Sequence, residues 1–272
     1  MIGDLSKFDD ALTSALELLG ISARPEQIDS LGRHFHAMVD ANRAFNLTRI
    51  TDPAEAAVKH YADSLALLLY LGAKGLHLET VVDIGTGAGF PAVPLAVMRP
   101  EWRVTGIDAT RKKTEFLVRT ARALGLSNLH VAHAHSRHWR PGRTFQIATL
   151  RAIAKLATCL RHGARCLSTG GRLVAYKSFP IDVTEHKAAS AAAARLGLIE
   201  SEPFPYELNH GGETIVRALY VFDRPAGDPD RPAPSQGSLP FTRSVKDQPA
   251  RTLAKRGTYR SHRDDTRRIR ET

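Results

Sequence analysis

The stretch that most limits what this chain can fold into is VVDIGTGAGF, residues 81–90. A β-branched pair, Val81-Val82, leads into Asp83 and Ile84. Glycines follow at Gly85, Gly87 and Gly89, with only Thr86 and Ala88 between them. An apolar segment with Phe90, Val93, Leu95, Ala96 and Val97 comes next. That order reads as strand, tight turn, helix. Glycine allows positive φ and a close approach of backbone to ligand, and a helix N-terminus offers unpaired N–H groups.

The rest of the chain supplies the layers such a turn needs. Leu5, Phe8, Leu12, Leu16 and Leu19 recur at helical spacing, as do Ile28, Leu31, Phe35 and Met38 after Pro25. A third helix carries Ala57, Tyr61, Leu65 and Leu68. Residues 1–76 are therefore expected to form a helical cap. Strand signals follow at 81–84, 103–109, 128–133, 146–150 and 170–178, with helices between them, including one over 153–167. Segments 199–207 and 214–223 read as a closing hairpin around Asn209-His210-Gly211-Gly212. The alternation predicts an α/β domain over 77–223, with a mostly parallel sheet of about seven strands. Beyond it, 224–272 is rich in Pro, Gly, Ser and charge, the composition of a disordered tail.

The formal net charge is +10, which points to a polyanionic partner. Part of it belongs to the tail, where 12 Lys+Arg stand against 6 Asp+Glu. No run of about 18 uncharged apolar residues argues for a membrane span, and MIGDLSKFDD lacks the basic-then-apolar order of a signal peptide. The two cysteines, Cys159 and Cys166, read as small buried residues, which suits a reducing cytoplasm. No metal-ligand spacing is visible, and a monomer is expected.

The spacing of the turn narrows its ligand. A dinucleotide fingerprint is GxGxxG, and a phosphate loop ends in Gly-Lys-Ser/Thr; neither fits GTGAG. With Asp83 two positions before the first glycine, the pattern resembles motif I of S-adenosylmethionine-dependent methyltransferases. The resemblance implies the class I, Rossmann-like fold. Asp108, at the end of the next strand, then stands where both ribose hydroxyls would be met.

Longer segments make the resemblance specific. NLTRITDPAEAAVKHYADSLAL (46–67), residues 81–117 and LRAIAKL (150–156) resemble the bacterial 16S ribosomal RNA guanine-N7 methyltransferases, the glucose-inhibited division protein B family. GGRLVAYKS and GGETIVRALYVF resemble that family's last strands. This implies S-adenosylmethionine as cofactor, 16S rRNA of the small ribosomal subunit as partner, and N7 of a guanine in the decoding-region loop as methyl acceptor. Carried over by position, the cofactor set is Gly85, Gly87, Gly89, Phe90, Asp108, Ser136, Arg137 and Arg151. Arg151 and Lys177, at strand ends, are the candidates for contact with reacting groups, Lys177 equally as a surface lysine. Lys59 and His60, with Arg111, Lys112 and Lys113 at the start of a basic helix, are the candidate RNA contacts.

The chain departs from the family's pattern at four of these places. Arg137 stands where the family usually has Glu, Leu150 where it has Ser, Gln146 where Asp is common, and Ala92 where Gly follows Gly-Phe-Pro. Two alternatives stand beside the rRNA reading. One is a diverged methyltransferase acting on another RNA or a small molecule, and the other is a non-catalytic RNA-binding or assembly protein.

Overall fold

A computed structural model describes residues 5–226. Helix α1 (Ser6–Leu18) and helix α2 (Pro25–Asn42) open the chain. Helix α3 (Pro53–Ala56) starts where Asp52 Oδ1 accepts the Glu55 N–H at 2.8 Å. It runs through a π-helical section, Ala57–Ala62, into α4 (Asp63–Ala73). A π section displaces side chains from the α-helical stripe and is often found at functional sites. Here it contains Lys59 and His60, and Asp63 follows directly.

Strand β1 (Thr80–Ile84), helix α5 (Ala92–Met98), strand β2 (Arg103–Asp108), helix α6 (Arg111–Ala123) and strand β3 (Leu129–His133) come next. Then follow β4 (Phe145–Arg151), α7 (Leu156–Gly163) with a 3₁₀ turn at Ala164–Cys166, β5 (Leu167–Ser178) and α8 (Val183–Arg195). The sequence-predicted helix over 153–167 is thus shorter, because residues 152–155 are irregular. Strands β6 (Ile199–Glu200), β7 (Phe204–His210) and β8 (Glu213–Asp223) end the described fold.

The sheet order is β3-β2-β1-β4-β5-β8-β6, with β7 also paired to β8. Strands β1 to β5 are parallel and β8 runs antiparallel to β5. The expected seven strands are eight. Segment 199–207 splits at Pro203, which has no N–H to donate to a ladder, and both pieces pair with β8. The hairpin turn falls at Gly211 and Gly212, both at positive φ, as expected.

Alternate residues of β1 enter opposite cores. Val81 joins Phe8, Leu12, Leu31, Phe35, Tyr61, Ile147 and Val174 on one face. Val82 and Ile84 join Ala148, Leu150, Leu160 and Ala189 on the other. The N-terminal helices therefore share one continuous core with the sheet, in which Phe8 stacks on Phe35 at 4.9 Å and meets the Tyr61 edge at 4.8 Å. Gln27 Nε2 fastens α2 to the end of α5 by donating to the Val97 carbonyl at 3.0 Å. Arg224, the predicted first residue of the tail, belongs to the fold instead: its guanidinium donates to the Leu167 and Ala164 carbonyls. The rest of the predicted tail lies outside the described residues. Cys159 and Cys166 are buried and not joined in a disulfide, as expected. Among the described residues no helix is long and apolar enough to cross a membrane, and no cluster of His, Cys, Asp or Glu could hold a metal.

Candidate active site

Between β1 and β4 the chain's winding reverses: β1 leads outward to β2 and β3, β4 to β5 and β8. In open α/β sheets ligands sit beyond the strand ends at such a switch. Ile84 pairs in register with Leu150, so the glycine turn after β1 and Arg151 at the end of β4 emerge side by side.

Gly85, Gly87 and Gly89 all take positive φ (+72°, +59° and +110°). A Cβ on Gly85 would lie 2.7 Å from Ile153 Cδ1, and one on Gly89 would lie 2.6 Å from Val93 Cγ2. These two glycines are required by packing. Gly87 is different: a Cβ there would meet nothing nearer than the Gly85 carbonyl at 3.9 Å. It would project into the open space above the turn, which is the cradle a ligand needs.

Asp108, at the end of β2, holds this turn. Its Oδ2 accepts the Gly87 N–H at 3.0 Å and its Oδ1 accepts the Thr110 N–H at 2.7 Å. Each oxygen keeps a further lone pair for a hydroxyl donor. Below the turn, Asp83 is fully buried and accepts the Thr149 hydroxyl at 3.0 Å. Burial pushes its carboxyl up to about 7, opposed by Thr86, Thr149, the Ala92 backbone and the charge of Arg151.

Phe90, expected in the cofactor set, is 8% exposed and packs under the helical layer. It stacks on His60 at 4.8 Å, meets the edges of Tyr61 (4.9 Å) and His34 (5.4 Å), and lies 5.7 Å below the Arg151 guanidinium. His34 Nε2 bonds the Ala88 carbonyl at 3.0 Å and Nδ1 lies 2.6 Å from the Tyr61 hydroxyl. A carbonyl can only accept, so Nε2 carries the proton and Tyr61 donates to Nδ1. This neutral histidine bolts the cap onto the glycine turn; its burial lowers its pKa to about 4.

Arg151 is anchored on every side. Its Nε lies 2.7 Å from Asp63 Oδ2, and its Nη atoms donate to the Lys59 carbonyl, to His60 Nδ1 at 3.3 Å and to Ser64 Oγ at 3.5 Å. Guanidinium has no acceptor, so His60 Nδ1 must accept and Nε2–H donates to Thr48 Oγ1 at 2.8 Å. Burial first, then the Arg151 charge, lower the His60 pKa to about 4. Asp63 also accepts the Tyr206 hydroxyl at 2.6 Å and Arg217 Nε at 3.1 Å. The cap, β4 and the closing hairpin therefore meet at one buried carboxylate. Ala152, next to Arg151, has φ +53°, the one positive-φ non-glycine residue among the described residues.

The side chains of the other expected site residues make contacts outside this cluster. Lys177 Nζ donates to Glu185 Oε1 at 2.8 Å and to the Ala154 carbonyl at 2.7 Å, bracing the 152–155 loop instead of facing open space. Lys59 pairs with Glu55 at 2.7 Å. Arg111 and Lys112 are exposed and Lys113 half-buried on the first turn of α6, beside Asp108, with Arg111 paired to Glu115. Ser136 is half-buried, with its hydroxyl 3.1 Å from His162 Nδ1, and the Arg137 side chain is exposed.

Residues 27–201 match the family model GidB, rRNA small subunit methyltransferase G. The chain belongs to this family. It is 31% identical over 233 residues to Ribosomal RNA small subunit methyltransferase G of Leuconostoc citreum, covering 82% of this chain and 97% of the relative. The protein of the same description from Solibacter usitatus is 40% identical over 197 residues, covering 71% of this chain and 90% of the relative. Among solved structures, a SAM-dependent methyltransferase from Methanosarcina mazei is 16% identical with a TM-score of 0.46, covering 58% of this chain and 98% of that one. N-methyltransferase NodS from Bradyrhizobium japonicum, in complex with S-adenosyl-L-homocysteine, is 18% identical with a TM-score of 0.47, covering 70% and 98%.

For a GidB-family methyltransferase the cofactor is S-adenosylmethionine, and the turn suits it. The open space at Gly87 and the free lone pairs of Asp108 offer close backbone approach and hydroxyl acceptance with no phosphate cradle. Gln146 also explains itself. Its Oε1 accepts the Glu79 and Thr80 N–H groups at 2.9 and 3.1 Å, a task an Asp oxygen would share. His34, Tyr206 and Arg217 were not picked out from the sequence. The available signal was a histidine on an apolar helix stripe, and a carboxylate, Asp63, inside the run ADSLALLLYL.

Proposed function

We propose that this protein methylates N7 of a guanine in the decoding-region loop of 16S rRNA, acting as a cytoplasmic monomer on the small ribosomal subunit. Membership of the rRNA small subunit methyltransferase G family carries the reading. S-adenosylmethionine supplies a methyl group on a sulfonium, a leaving group that departs without help from an acid. Guanine N7 presents a lone pair and no proton, so the chain needs no general base and its task is positioning. The residues around the switch point suit that task. His60 is neutral at physiological pH and Arg151 is held by four partners, so neither is free to shuttle protons.

In this reading Gly85, Gly87 and Gly89 shape the turn that admits the cofactor's amino-acid part, and Asp108 takes the ribose. Ser136 and Arg137 border the adenine through their backbone. Arg151 acts chiefly as a positioning residue, clamping the π section of the cap over Phe90 and so fixing the wall opposite the turn. Lys59, His60, Arg111, Lys112 and Lys113 line the approach for RNA.

Calorimetry with S-adenosylmethionine, followed by methylation of small subunits from a strain that lacks the modification, tests the assignment. Micromolar cofactor binding and one N7-methylguanosine per subunit are expected. No binding at millimolar cofactor would overturn the enzyme reading in favour of an assembly protein.

A further inference from the structure

No aspartate or glutamate occurs between Glu115 and Asp182, a run of 66 residues that carries 11 Lys+Arg and 5 His. Some of these cations reach carboxylates elsewhere: Arg151 pairs with Asp63, Arg172 with Asp223 and Lys177 with Glu185. Arg137, Arg161 and Arg165 do not; among the described residues none of the three has a carboxylate at ion-pair distance. They are nevertheless brought together. Arg165 Nη1 donates to the Arg137 carbonyl at 2.7 Å and its Nη2 to the Arg161 carbonyl at 3.5 Å, which ties the loop after β3 to α7. Arg161 Nη2 rests on Thr158 Oγ1 at 2.8 Å, and Arg140 Nη1 also donates to the Arg137 carbonyl at 3.2 Å. The rings of His135 and His138 lie 5.6 Å apart on the same loop, and the Ser136 hydroxyl meets His162 of α7.

Like charges held together without a counter-ion repel, and exposed arginines would otherwise splay apart. Here Arg165 is held by the Arg137 and Arg161 carbonyls and Arg161 by the Thr158 hydroxyl, so the three residues stay on one surface. His162 registers the result: burial lowers its pKa, and the next causes are Arg137, Arg165, His135 and Arg161, every one a base. The fork of donors on an arginine side chain suits phosphate oxygens.

We propose that Arg137, Arg161 and Arg165, with His135, His138 and His162, form a docking patch for the phosphate backbone of the rRNA substrate. The inference rests on the rRNA methyltransferase reading above and assigns the Arg137 side chain to RNA, leaving only its backbone to the cofactor. An acid at position 137 would neutralise the patch, and the arginine completes it.

The test uses the full chain with Arg161→Ala, Arg165→Ala and the pair combined, and with the same positions changed to Lys. Small subunits lacking the methyl group are the RNA probe, and S-adenosylmethionine is titrated separately. For the alanine variants, KM for subunits should rise roughly threefold to tenfold per arginine with kcat little changed. The slope of log affinity against log salt should fall by about one per arginine removed. Cofactor affinity should stay within about twofold. The Lys variants should keep the slope, which separates charge from a folding defect. An unchanged salt slope and KM in the double alanine variant would overturn the patch, as would lost cofactor affinity with RNA binding intact. If the unaltered protein itself neither binds nor methylates subunits, the proposed function fails, a result distinct from failure of the patch.

Discussion

Arg151 Nε lies 2.7 Å from Asp63 Oδ2, and through this pair the end of β4 is fixed to the helical layer that covers it. The Asp63 side chain is 2% exposed and also serves Arg217 and Tyr206. Removing one member of a buried pair leaves an uncompensated charge, at a cost of about 3–5 kcal/mol. Asp63→Ala should therefore lose about that much stability in urea unfolding. Asp63→Asn, which keeps the acceptor for Tyr206, should lose less. Equal, small losses in both would show that the carboxylate does not organise the site.

The three turn glycines should separate stability from binding. Gly89→Ala places a methyl 2.6 Å from Val93 at φ +110° and should cost about 3 kcal/mol of stability. Gly87→Ala meets open space at φ +59° and should cost about 1–2 kcal/mol. Its methyl enters the ligand's space, so cofactor affinity should fall at least roughly tenfold, about 1.4 kcal/mol. Thermal unfolding and calorimetry on both variants check the contrast.

His34 makes the cap acid-sensitive. Its folded pKa is about 4 against an ordinary value of 6.5, so the unfolded chain binds the extra proton first. The stability it contributes is whole above pH 6.5 and is lost as pH falls from 6.5 toward 4. His60, also at about 4, adds to the same slope. Asp83, raised from 3.8 to about 7, acts oppositely, because its buried carboxylate costs stability as pH rises through that window. His34→Gln keeps a donor and an acceptor without titrating. Urea unfolding between pH 4.5 and 7.5 should show a shallower loss of stability in this variant than in the parent.

Gln146 is expected to matter to the fold and not to the cofactor. Its side-chain oxygen takes the Glu79 and Thr80 backbone donors that open β1. Gln146→Ala leaves them without that acceptor and should cost about 1 kcal/mol, because water reaches these half-exposed donors. Cofactor affinity measured by calorimetry should be unchanged.

What could be read in the sequence was local. The glycine turn and Asp108 each lie within one short segment, and the structure places them at the ends of β1 and β2 as expected. The strand-helix alternation was legible too, whereas the reversal of winding that brings Arg151 beside the turn is a property of the strand order. The partners of Asp63 were not legible, because Tyr206 and Arg217 come from a hairpin far along the chain and only the closed sheet brings them to the cap. The packing of Phe90 was not legible for a related reason: the π section that turns His60 onto its ring belongs to the cap, earlier in the chain. The splitting of β6 from β7 could have been read from Pro203 and the polar Glu200-Ser201-Glu202 before it. The acid-free stretch could be counted, although only the fold shows which of its arginines converge.

The most direct measurement deletes the gene and maps N7-methylguanosine across the small-subunit rRNA of the deletion strain and of the same strain carrying the gene again. The expected result is loss of one methylated guanine in the decoding-region loop, restored by the intact gene and not by the Gly87→Ala form. Persistence of that methyl group in the deletion strain would contradict the assignment.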